Sequence, residues 1–105
     1  MYSLEDVLSW EAEMSDSLGK DREKLLMYRF IQRDLKLRRQ VSLLEEDENP
    51  VALQQLDDTI GRVQEAINEL EQSMAFKAGA VEQMYHQWTK LLSQKLVSDT
   101  IDRSG

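Results

Sequence analysis

The sequence predicts an all-α protein, a long antiparallel helical hairpin with coiled-coil-like packing. Three observations carry that expectation. Helix-forming Leu, Glu, Gln, Lys, Arg, Met and Ala dominate a chain of 105 residues with only four Gly and one Pro, and no stretch has the alternation of a strand. Leu53, Leu56, Ile60, Val63, Ile67, Leu70 and Met74 recur at three-four spacing, which makes one narrow apolar stripe. One strong punctuation, "EEDENPVALQQL", divides the chain into two arms of similar length.

The first arm begins at Ser3 with Asp6 three residues on, a capping box with the shorter acid, and its helical pattern covers about residues 3–46. Its weak stretch is "SDSLGKD". Gly19 costs a helix about 1 kcal/mol relative to Ala, and Ser15, Asp16, Ser17 and Asp21 prefer caps to interiors. A break over residues 15–21 is expected. The turn occupies residues 46–50, where Asn49 can cap and Pro50 fits the first helical turn. The second helix then covers about 50–97, followed by a polar tail over 98–105, all within one domain.

Folding the chain at the turn pairs Leu44 with Leu53, Val41 with Leu56, Leu37 with Ile60, Phe30 with Ile67 and Met27 with Leu70. The expected hairpin core is therefore Phe30, Leu37, Val41 and Leu44 against Leu53, Leu56, Ile60, Val63, Ile67 and Leu70. Farther out, the same register sets Gly19 near Ala78 and Gly79, Met14 near Met84, and Trp10 near Trp88. After Met74 the next heptad position is Lys77, whereas an apolar stripe resumes at Ala78, Val81, Tyr85, Trp88 and Leu92, so a stutter is expected there.

At 100° per residue, Leu25, Tyr28, Ile31 and Leu35 lie opposite the expected core of the first arm, which is thus apolar on two faces. The second arm has a lesser surplus in Phe76, Ala80, Met84 and Leu91. Burying a large apolar side chain is worth about 1.5 to 3 kcal/mol, so surplus rows imply a further surface. The candidate partner-binding residues are Leu25, Tyr28, Ile31, Leu35, Phe76, Met84 and Leu91. The alternative is a three- or four-helix bundle, with residues 3–18 folded back over these rows.

A net charge of −7 argues against nucleic acid as partner. "YRFIQRDLKLRRQ" gathers Arg29, Arg33, Lys36, Arg38 and Arg39, but Asp34 interrupts it and the acidic run from Glu45 follows closely. It reads as a charged helix flank that sets register against acids of the second helix or of a partner. No apolar run is long enough for a membrane span, and the acidic amino terminus is not an export signal, so a cytoplasmic location is expected. There is no cysteine for a disulfide or a thiolate zinc site. The single histidine, His86, follows Glu82 by four residues, short of the paired Glu-x-x-His motifs of a di-iron bundle. Trp10 and Trp88 read as core packing rather than contact anchors. Neither a phosphate loop nor a nucleophile with its base is present, and no catalytic residue, cofactor or metal is expected.

A small acidic two-helix coiled coil resembles, in format, the helical chaperones and stalk components of bacterial type III secretion and flagellar export, and eukaryotic helical adaptor fragments. A spectrin-like repeat needs two interhelical turns where this chain has one. The resemblance assigns no site residue. The expected function is non-enzymatic: a structural or adaptor subunit that docks by exposed apolar helix faces into an assembly, with a helical protein or a second copy as partner. The alternative is a small acidic chaperone for a helical client.

Overall fold

The computed structural model describes residues 2–45 and 49–104, the last four as backbone only. It contains two helices, α1 (Leu4–Leu44) and α2 (Pro50–Ser104). They form an antiparallel helical hairpin, as the composition and the single proline-marked turn predict. Residues 46–48 of the expected turn lie outside the described residues.

Both helix starts follow from their caps. The backbone N–H of Asp6 donates to Ser3 Oγ at 3.1 Å and that of Ser3 to Asp6 Oδ2 at 3.3 Å, a reciprocal box that occupies two otherwise unpaired donors. Asn49 Oδ1 accepts from the N–H groups of Val51 and Ala52 at 3.1 and 3.4 Å, with Pro50 in the first helical position, where its missing donor costs nothing.

Two expectations about helix extent are corrected. α1 is continuous through residues 15–21, so Gly19 does not break it; the tertiary contacts of a long helix outweigh one unfavourable residue. α2 runs to Ser104 rather than ending near residue 97, because residues 98–104 contain neither Gly nor Pro to stop it. With α1 unbroken, residues 4–18 continue the first arm, and the alternative bundle in which they fold back is not formed.

The hairpin divides into two compact units: a turn unit, Lys20–Met74, and a terminal unit, Met1–Gly19 with Ala75–Gly105. In the turn unit, α2 contributes the expected stripe: Ile67 is buried, and Leu53, Leu56, Ile60, Val63 and Leu70 are half-buried. α1 contributes Asp21, Leu25, Tyr28, Gln32, Leu35, Arg39 and Ser42, all buried or half-buried. These positions alternate in steps of four and three, a regular heptad seam containing several polar side chains. Two of the polar members find partners across it. Gln32 Nε2 donates to Gln64 Oε1, and Arg39 pairs with Asp57. At the border Arg29 reaches Glu71 at 3.2 Å.

In the terminal unit the α1 seam is Leu4, Val7, Glu11, Met14 and Leu18, and the α2 seam runs Lys77, Val81, Met84, Trp88 and Leu91. Val7 is fully buried. Lys77 Nζ donates to Ser17 Oγ at 2.8 Å. The stutter expected after Met74 is therefore absent: Lys77 holds the heptad position, half-buried, while Ala78 is exposed. A lysine serves there because its four-carbon stem packs in the seam while its ammonium reaches a hydroxyl.

The expected contact of small residues at Gly19, Ala78 and Gly79 is also absent, since a Cβ added to Gly19 or Gly79 would meet nothing within 4 Å. Met14 and Met84 do line one groove, as their register predicts. The expected meeting of Trp10 with Trp88 gives way to local ring pairs, Tyr2 with Trp10 at 4.9 Å and Tyr85 with Trp88 at 5.4 Å, both edge-to-face.

Candidate docking surface

The face of α1 that packs is the reverse of the one its apolar count predicts. Leu25 is 8% exposed, and Tyr28 and Leu35 are half-buried, so these three candidate partner-binding residues belong to the hairpin seam. Met84 and Leu91 are half-buried in the seam of α2. Ile31, at the seam's edge, and Phe76, on the outer side of α2, remain exposed.

Conversely, Phe30, Leu37, Val41 and Leu44, expected in the core, are exposed, Phe30 at 74% and Leu44 at 85%. Leu26, at 67%, continues their row. At 100° per residue the mean direction of these five lies roughly opposite the mean direction of the seam, so they form one outer stripe along α1. Met27 borders it and is exposed as well.

The stripe is not smooth. Phe30, Arg33, Asp34 and Leu37 line one shallow groove, and Asp34, Leu37, Arg38, Val41, Ser42 and Glu45 line the next. Asp34 Oδ2 accepts from Arg38 Nε at 2.9 Å, one turn apart on the helix. That hydrogen bond, with the carboxylate's charge, holds the Arg38 guanidinium above its ordinary value, which leaves it cationic at every physiological pH.

Apolar content cannot distinguish the two faces of α1, because polar residues at 21, 32, 39 and 42 make the true seam look the poorer of the two. The signal that does distinguish them is regularity. The run from Leu4 through Val7, Glu11, Met14, Leu18, Asp21 and Leu25 to Ser42 keeps its three-four spacing over the whole helix.

His86 Nε2 lies 3.1 Å from Glu82 Oε1, both side chains largely exposed, and no cluster of three ligating side chains occurs among the described residues. None of the described helices is long and apolar enough to cross a membrane. No family model, curated protein or solved structure matches the chain.

Proposed function

We propose that the chain is a non-enzymatic helical interaction module, an adaptor or structural subunit that docks through the outer stripe of α1. The observation that carries this reading is the exposure of Leu26, Phe30, Leu37, Val41 and Leu44 in a single row. Among the described residues only Val7, Leu25 and Ile67 count as buried apolar side chains. A chain with so thin a core and so large an apolar row gains most by covering that row.

A photo-crosslinking residue introduced at Phe30 or Leu37, compared with one at the exposed Glu65 of α2, tests the reading in cells. Discrete adducts from positions 30 and 37 and none from 65 are expected. Equal labelling from all three, or none from any, would remove the outer stripe as a docking surface.

A further inference from the structure

The charges that border the outer stripe specify what covers it. Arg22, Arg29 and Lys36 repeat every seven residues along one border of the row, and Arg33 lies between them and the apolar side chains. This is a cationic edge on a protein whose net charge is −7. Arg29 is paired with Glu71. Arg33 lines the groove between Phe30 and Leu37, and the neighbouring Asp34 carboxylate is bound by Arg38. Among the described residues no carboxylate forms an ion pair with Arg33. Anything seated on Phe30 and Leu37 partly desolvates that guanidinium, which is costly unless the incoming surface supplies an acceptor.

A second copy paired through the same α1 stripe does not meet this requirement. In an antiparallel pair of α1 stripes, like borders face each other, so Arg22, Arg29, Arg33 and Lys36 would oppose the same four residues. In a parallel pair the cationic border would meet Lys20, Asp34, Arg38 and Glu45, whose charges are mixed, with Asp34 already engaged.

We infer that the occupant of the outer stripe is an amphipathic helix of a different protein, whose apolar seam is flanked by Asp or Glu on the side that meets Arg33 and Lys36. This rests on the docking reading above and adds the chemistry of the partner. The apolar seam supplies the attraction and the carboxylates supply orientation and choice of partner.

The test uses the full chain and two synthetic four-heptad peptides with the same leucine seam, one flanked by Glu and the other by Lys. Binding is read by fluorescence anisotropy, and the state of the chain by light scattering after size exclusion. The Glu-flanked peptide should bind about tenfold more tightly than its Lys-flanked sibling at about 50 mM salt, with the gap narrowing at about 0.5 M. Arg33→Glu with Lys36→Glu should abolish or reverse the preference, while Phe30→Ser with Leu37→Ser should abolish binding of both peptides without loss of helical circular dichroism.

Equal binding of the two peptides that still depends on Phe30 would overturn the acidic partner and leave the docking surface standing. No binding of either peptide would overturn both. A dimer of the chain that Phe30→Ser dissociates would assign the stripe to a second copy, and the inference would fall.

Discussion

Gln32 and Gln64 hold the two arms of the turn unit at one level. The Gln32 amide donates to Gln64 Oε1, and the Gln64 amide donates onward to Asn68 Oδ1 at 2.9 Å. A polar layer in a heptad seam fixes register at a cost in stability. Gln32 is half-buried in the seam and Gln64 is exposed beside it, so replacing both by Leu should raise stability by about 1 kcal/mol through position 32, whereas Gln64→Leu alone should gain nothing, because it removes the acceptor of the half-buried Gln32 amide. Urea midpoints of the single and double variants decide this; equal gains would mean that the pair is not coupled.

The two faces of α1 make opposite predictions. Leu25→Ala should cost about 2 to 4 kcal/mol through the cavity it leaves in the seam, while Phe30→Ser on the isolated chain should shift stability by no more than about 0.5 kcal/mol. Chemical denaturation followed by circular dichroism measures both. A large loss from Phe30→Ser in a monomeric sample would show that the outer stripe is packed.

Three glycines lie within helices with open space where a Cβ would go. Gly19→Ala, Gly61→Ala and Gly79→Ala should each stabilise the chain, by about 0.5 to 1 kcal/mol, through helix propensity and a stiffer unfolded chain. Thermal melts of the three variants check the sign. A drop in Tm at Gly19 or Gly79 would reveal a close approach there.

The terminal unit contains an unmet carboxylate oxygen. Glu11 Oε2 and Trp88 Nε1 are both buried without a hydrogen-bond partner among the described residues. Glu11→Leu should stabilise the chain, by about 1 kcal/mol or more, since it removes an unpaired acceptor and adds apolar contact at a seam position. A lower urea midpoint for this variant would mean that the carboxylate is satisfied in solution.

The Asn49 cap gives a prediction at the start of α2. Asn49→Ala should cost about 1 kcal/mol and Asn49→Gly a few tenths, because Ala removes the side-chain acceptor while Gly leaves the N–H groups open to water. An unchanged urea midpoint in Asn49→Ala would show that the cap contributes little.

Sequence alone determined the helical class, the caps at Ser3 and Asn49, the single turn and, closely, the level at which the arms meet. Each of these depends on local chemistry or chain geometry: propensity, side-chain acceptors for free N–H groups, and equal rise along two arms. The expected pairing of Leu37 with Ile60 lies within about one residue of the observed level set by Gln32 with Gln64 and Arg39 with Asp57. The stripe of α2 was legible because its polar residues stay off it throughout the turn unit. Tertiary structure decided which face of α1 meets that stripe. Both faces carry large apolar side chains, and the more apolar one, through Phe30 and Leu44, is left outside. The choice turns on partners that no single helix displays: Gln64 for Gln32, Asp57 for Arg39 and Ser17 for Lys77 become visible only when the arms are side by side. A polar residue in a seam lowers its hydrophobic count yet is tolerated when the opposite arm completes its hydrogen bonds, so hydrophobic periodicity undervalued the face that packs.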